Sequence, residues 1–249
     1  MLPKQACERR ELFASTGRFR TTAHPDARKF VFAECENQQA ESLRSPDGAA
    51  PPLVMLRIGC VQYLNAQPLI HGWPGAVVFD HPARLCQMLA AGELDVAFVS
   101  SFEFLRNPVY SIVDGVSVAA GGPVYSVFVA HREPMTQLSE IAIDPASATS
   151  VNLLRCLLRE RQSPAQLTEG EADARLLIGD QAIRFRQQHG DAYEYLDLAA
   201  EWKRTTGLPF VFALWLIRRE TEDARGIADR LRARCRGNLA ALDDVIAAQ

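Results

Sequence analysis

From Leu56 onward the chain alternates between two hydrophobic rhythms. Leu56–Val61, Ala76–Phe79 and Leu94–Val99 are short apolar runs of the length expected for buried strands. Between the last two lies PARLCQMLAAGEL, where Leu85, Met88 and Leu89 recur at helical spacing and Gly92 follows directly. That pattern predicts an amphipathic helix stopped by glycine. The alternation resumes with a predicted strand over Val124–Ala130 and a helix over Ser150–Arg161 that sets Val151, Leu154 and Leu158 on one face. A strand over Arg175–Ile178, a helix over Gln181–Gln188 and a long buried strand or strand pair over Leu208–Ile217 follow. The closing EDARGIADRLRARCRGNLAALDDVIAAQ reads as helix with a break near Gly237. Strands alternating with helices predict an α/β fold on largely parallel sheets.

Residues 1–54 lack this periodicity, and SPDGAAPP (Ser45–Pro52) reads as a turn-rich linker. Two readings stand: a disordered extension, or a start upstream of the native one, with Met55 opening the folded protein.

Composition narrows the class. With 249 residues, 48% hydrophobic and 23% charged, the chain can bury a sizeable core. A net charge of -3 gives no reason to expect nucleic acid or an anionic membrane as partner. Arg230, Arg232, Arg234 and Arg236 fit a solvated helix face better than a phosphate site. The six cysteines (Cys7, Cys35, Cys60, Cys86, Cys156, Cys235) form no C-x-x-C pair, and the histidines show no ligand spacing, so no metal is expected. Cys60 and Cys156 sit among apolar residues and read as small core side chains. No run of 18 apolar residues and no secretory signal is present, which makes a cytoplasmic location the default expectation. G-x-G-x-x-G after a strand, the P-loop and the G-x-S-x-G elbow are all missing, so no nucleotide cofactor is expected.

Four strand ends share one chemistry. Asn65 follows IGCVQYL, Ser100 and Ser101 follow LDVAFV, Thr149 and Ser150 precede VNLLRCLL, and Gly179 and Asp180 follow RLLI. Each places a hydroxyl, an amide or free backbone N–H groups at a helix start. Two readings compete: ordinary helix caps, or donors converging on an anionic ligand where the carboxyl ends of sheet strands meet. GGPVYS (Gly121–Ser126) adds a further contact, because glycine lets a backbone approach a ligand closely. Spacing alone supports a two-lobed α/β protein gripping a small carboxylate.

The ordered series RIGCVQYLNAQPL, GELDVAFVSSFEF, GGPVYSV, DPASATSVNLLRCLLRER, ADARLLIGDQAI and DLAAEWKRTTGLPFVFALW resembles the chorismate dehydratases of the futalosine route to menaquinone, from about Arg57 to Arg219. The resemblance implies a two-lobed fold of the periplasmic-binding-protein-like type II, with a central cleft. It implies lobe 1 from residues 55–115 plus 208–249 and lobe 2 from 116–207. The implied reaction removes water from chorismate, a small dicarboxylate, to give 3-[(1-carboxyvinyl)oxy]benzoate without metal or cofactor. It assigns Asn65 to the reacting region and makes Ser100, Ser101, Thr149 and Ser150 holders of carboxylate oxygens, with Ser126 and the Gly122 backbone nearby. Asp180, beside Gly179, is expected to cap its helix or orient a neighbour, since like charges repel. The matched motifs contain no histidine, so the expected base is the substrate's own enolpyruvyl carboxylate, with Glu103 as fallback.

Two departures qualify the resemblance. Only QSPAQLTEGEADA joins the helix ending at Arg161 to the strand at Arg175, where the family carries an additional strand and helix, so a shortened second lobe is expected. The C-terminal part is also short. The alternatives are a non-catalytic carboxylate-binding module of the same fold, an inactive remnant, and the sibling lyase of the pathway.

Overall fold

Two five-stranded sheets carry the fold, and the chain crosses between them twice. The computed structural model describes residues 56–144 and 147–248; the expectations for residues 1–54 lie outside these. The first sheet has the order β2-β1-β3-β10-β4, with β1 Ile58–Cys60, β2 Val77–Phe79, β3 Val96–Ser100, β4 Tyr110–Ala120 and β10 Phe210–Arg218. The second has the order β7-β6-β8-β5-β9, with β5 Val127–His131, β6 Glu140–Ala142, β7 Gln166–Thr168, β8 Ala174–Ile178 and β9 Glu194–Asp197. In each sheet four strands run in one direction and one, β10 in the first and β5 in the second, runs against them and pairs antiparallel on both sides. The expectation of largely parallel sheets is therefore corrected to mixed ones. The antiparallel pairings are made by strands next to the crossings: β4 leads out of the first sheet, and β10 returns to it between β3 and β4.

Helices fill the connections. They are α1 Gln67–Ile70, α2 Pro82–Ala91, α3 Ser101–Arg106, α4 Ala148–Glu160, α5 Gly179–His189, α6 Leu198–Thr206, α7 Ala224–Ala240 and α8 Leu242–Ala247. Gly92 closes α2 at φ 76°, as its position predicted. Gly59 shows why β1 reads I-G-C. A β-carbon there would lie 2.6 Å from Leu94 and 2.8 Å from Leu85, so only glycine lets α2 close on the strand. Trp215 and Phe98, neighbours on β10 and β3, meet edge to face at 5.3 Å in the centre of this core. Each such buried ring contributes about 1.5–3 kcal/mol by leaving water.

Several expectations shift. The helix near the C-terminus runs straight through Gly237 and breaks at Ala241 instead. Cys156 lies on the solvent face of α4, whose buried positions are Val151, Leu153, Leu154, Leu157 and Leu158. Leu208–Ile217 proves to contain one long strand. In the short connection after Arg161 the additional strand is present as β7, paired parallel with β6, but no helix stands between β7 and β8 where α2 stands between β2 and β3. β4 was hidden because Asp114 and Gly115 interrupt its apolar run. It lies at the edge of its sheet, where one side needs no apolar cover.

At the ends of β1, β3 and β10 farthest from the strand tips described below, Asp95 gathers the chain. Its carboxylate accepts from Arg57 N and Nε, each at 3.0 Å, while its carbonyl accepts from Arg218 N at 3.0 Å. The hydrogen bonds from the Arg57 side chain hold the Asp95 carboxyl below its ordinary range, against a smaller opposing effect of burial. A carboxyl acidified by folding stabilises the fold fully above its unfolded pKa of about 3.9, and loses that contribution as pH falls through the lower folded value. Asp95→Asn should therefore lower the thermal midpoint at pH 7, and the difference from the parent should shrink towards zero as acid is added. Thermal melts at pH 7 and at pH 3 check this.

Candidate functional site

The carboxyl ends of the parallel strands in both sheets point at one another. β1 leads into a 3-10 turn at Leu64–Ala66, β3 into α3, β6 through Asp144 into α4, and β8 into α5. Two contacts show that these tips converge. The hydroxyl of Ser100, at the tip of β3, meets that of Thr149, in the first turn of α4. Tyr63, between β1 and its turn, has its phenol pushed up by burial and then by the carboxylates of Asp144 and Asp180. The Ser100–Thr149 contact joins the tip of β3 to the start of α4, and the Tyr63 phenol lies within electrostatic reach of Asp144 and Asp180 from the second sheet.

The hydroxyl protons at the junction can be accounted for one by one. Thr149 Oγ1 donates to the carbonyl of Phe212 at 3.1 Å, so its single proton is used. Ser100 Oγ must then be the donor in the Ser100–Thr149 bond. Ser101 Oγ, almost fully buried, donates to the carbonyl of Val211 at 2.7 Å. Three of the four hydroxyls assigned to carboxylate binding thus spend their protons on the protein. They clip α3 and α4 to β10, the strand returning between the lobes. Ser100, Ser101 and Thr149 thus tie the strand tips to β10, whereas Ser150, also buried in the first turn of α4, stands outside this chain of bonds.

None of the four strand ends uses its polar side chain as a helix cap. The cap of α1 is Ala66, without a side-chain hydrogen bond, and Asn65 sits half-buried inside the 3-10 turn. Ser100 occupies the cap position of α3 but bonds elsewhere. The cap position of α5 is Ile178, so Asp180 does not cap its helix; exposed in the first turn, it acts on Tyr63 instead. The first backbone N–H groups of α4 and α5 lack intrahelical partners, as at any helix start. One of them, Gly179 N, is spent on the carbonyl of Ser126 at 2.7 Å.

The GGPVYS segment forms the inner turn of the second lobe. Ser126 is buried, and its hydroxyl bonds back to the carbonyl of Val124 at 3.3 Å, so it shapes this turn from within. A β-carbon at Gly121 or Gly122 would meet nothing within 4 Å. Neither shows the positive φ that would call for glycine, so their open face is left free for something to approach. Gly179, at φ 62°, is glycine for a conformational reason.

Glu103 pairs within its own lobe. Its carboxylate is buried and pairs with Arg106. It also acts on the Cys86 thiol of α2, which burial first and the Glu103 charge second push up to about 11. A carboxylate held by a guanidinium against α2 is a structural link within its own lobe. Sequence reasoning did not identify Tyr63, Asp144 or the β10 carbonyls. Carbonyls carry no residue signature, and Tyr63 acquires its meaning only from carboxylates far along the chain.

Comparison with known proteins agrees with this architecture. A family profile described as menaquinone biosynthesis matches residues 56–248. The chain is 32% identical over 221 residues to a chorismate dehydratase of Thermus thermophilus, covering 77% of this chain and 80% of that one. A crystal structure of a protein from Archaeoglobus fulgidus superposes with a TM-score of 0.61 at 19% identity, over 77% of this chain and 79% of that one. The periplasmic aliphatic sulphonate binding protein of Escherichia coli superposes at 0.50 and 16% identity, over 77% and 72%. The fold is the two-lobed α/β arrangement of the periplasmic-binding-protein-like type II class.

The proton accounting makes Thr149 a clip between α4 and β10. Thr149→Val keeps its shape and removes the hydroxyl, leaving the Phe212 carbonyl and the Ser100 hydroxyl each without that partner. The expected loss is about 1–2 kcal/mol of folding stability, read from denaturant titration. An unchanged midpoint would show that the clip carries no weight.

Proposed function

The chain belongs to the menaquinone biosynthesis family, and from that premise we propose that it is a hydro-lyase that dehydrates chorismate to 3-[(1-carboxyvinyl)oxy]benzoate. What carries this reading is the convergence of uncapped strand ends. An amide at Asn65, the Ser150 hydroxyl and the starts of α4 and α5 border a cleft whose glycine-lined inner turn leaves room for a ligand. Helix starts favour negative charge, and a dicarboxylate brings two.

The reaction asks for little covalent help. A base takes the hydrogen on the ring carbon that bears the ether oxygen. The released electron pair forms a ring double bond, and the neighbouring hydroxyl leaves as water after gaining a proton. The ring becomes aromatic, so the protein's tasks are to fix the substrate's pose and to stabilise the charge that develops. We assign Asn65 to the reacting region, and Ser150 with the adjoining helix N–H groups to a carboxylate. The Gly122 backbone lies against the substrate ring. Ser100, Ser101 and Thr149 hold these donors in place. With Glu103 committed to Arg106, the base we assign is the substrate's own enolpyruvyl carboxylate. We take the partner to be a free small molecule and the location to be the cytoplasm.

Incubating the purified protein with chorismate should yield the aromatic product, followed by absorbance and identified by mass. Tight binding without product would instead favour a carboxylate-binding module. Asn65→Ala should lower kcat by about 10²–10³, the size of effect expected for a lost polar donor at a reacting centre, with the thermal midpoint unchanged. A second test addresses the base: a chorismate analogue lacking the enolpyruvyl carboxylate should bind weakly and fail to lose water. Normal turnover of that analogue would return the role to a protein group.

A further inference from the structure

One carboxylate outside the cleft holds two distant pieces of backbone at once. Asp197 ends β9. Its Oδ1 accepts from Ala199 N at 3.1 Å and Ala200 N at 2.9 Å, capping α6. Its Oδ2 accepts from Val124 N at 2.8 Å and Tyr125 N at 3.1 Å, in the segment where the chain first crosses between the sheets. Tyr125 lies at φ 62°, a left-handed conformation that a bulky side chain adopts only under constraint. The next residue, Ser126, offers its carbonyl to Gly179 N, at the start of α5. The Tyr125 ring is in turn covered by the Arg186 guanidinium, 4.4 Å from its centroid.

The far end of α6 reaches the second crossing. Trp202 Nε1 donates to the carbonyl of Pro209 at 3.2 Å, and Trp202 stacks edge to face on Phe210 at 5.4 Å. Helix α6 is thus anchored to both inter-lobe segments, to the first through Asp197 and to the second through Trp202.

We infer that Asp197 is a positioning residue: its carboxylate holds Tyr125 in the left-handed conformation and so sets the GGPVYS turn against the start of α5. The helix cap alone would be served as well by asparagine. The second pair of bonds is what needs a carboxylate. With one amide oxygen turned to α6, an asparagine would present its NH₂ group to two backbone N–H donors, and the turn would lose its anchor. The effect on turnover rests on the chorismate reading above; the effect on the turn does not.

The test is hydrogen exchange of the backbone amides in residues 121–126, read by mass spectrometry on the whole protein without substrate. Asp197→Asn should keep the helical circular dichroism yet speed exchange in this segment at least tenfold, the equivalent of losing one charge-assisted bond. Combined with Asp197→Asn, Tyr125→Gly, to which φ 62° costs nothing, should restore protection at Ser126 N, whose bond to the Val124 carbonyl follows the shape of the turn, but not at residues 124 and 125, which lose their acceptor. In assays with chorismate, Asp197→Asn should lower kcat more than it raises KM, and the double variant should recover. Should Asp197→Asn fail to fold, Asp197→Ser, a cap too short to reach the turn, carries the same readout. Unchanged exchange at 121–126, or no recovery at Ser126 N with Tyr125→Gly, would overturn the inference. Absence of turnover in the parent would count against the chorismate reading and leave the exchange result standing.

Discussion

The arrangement depends on how the returning strand β10 is held where the two sheets meet. Ser101 and Thr149 donate to consecutive carbonyls of that strand, Val211 and Phe212, and Ser100 donates to Thr149. These bonds join β3, α3 and α4 to the one strand that belongs to the first sheet and emerges from the second. They are neutral, part-buried hydrogen bonds, and an unmade buried partner costs more than a made bond contributes. The consequence is a junction that resists partial opening. The cleft's donors are then held by the hinge itself and do not depend on flexible side chains.

That junction also explains the electrostatic character of the cleft. The residues gathered at the four strand ends include no lysine or arginine, and two carboxylates, Asp144 and Asp180, stand across from Tyr63. At these strand ends a dianionic ligand would meet dipoles: backbone N–H groups at helix starts, an amide and hydroxyls. Such donors are fixed by the fold and need little rearrangement as charge moves within a bound molecule. A mobile cation would bind the starting dianion strongly as well, which lowers the ground state along with the transition state. Neutral donors suit a reaction in which charge shifts within one substrate and no external group is transferred.

Sequence patterning exposed β1, β2 and β3 of the first sheet, β5 and β8 of the second, β10 and most of the helices, because apolar period and a terminal glycine are local signals. It did not expose β4, β6, β7 or β9; β6 and β7 are three residues each, too short to show a period. Asp114 and Gly115 interrupt β4, and β9, Glu194–Asp197, is a half-exposed edge whose pairing with β5 is set by residues more than sixty positions away. The candidate site was legible as residue types at strand ends, but not as a division of labour. Ser100, Ser101 and Thr149 look identical to Ser150 in one dimension. Only the carbonyls of Val211 and Phe212 separate those that clip the hinge from the one outside the clip. Glu103 shows the reverse case, since its partners Arg106 and Cys86 were visible in the sequence but their direction was not.

The two sheets repeat one plan, which sharpens the meaning of the missing helix. β6, β7 and β8 follow the same parallel order as β1, β2 and β3, yet the counterpart of α2 does not occur between β7 and β8. In the first sheet that helix packs Leu85 and Leu89 onto β1 and β3 at zero exposure. In the second, the corresponding connection is the short run from Glu169 to Asp173, and β8 there is covered on one face by α5, through Ala182 and Phe185 against Phe128 and Leu177. The strand tips depend on pairing within the sheet and on α4 and α5, both of which are present. A lobe can therefore lose an outer helix and keep the tips in register, because the hydrogen bonds that place Thr149, Gly179 and the GGPVYS turn all run to β10, Ser126 and Asp197 rather than to the missing element.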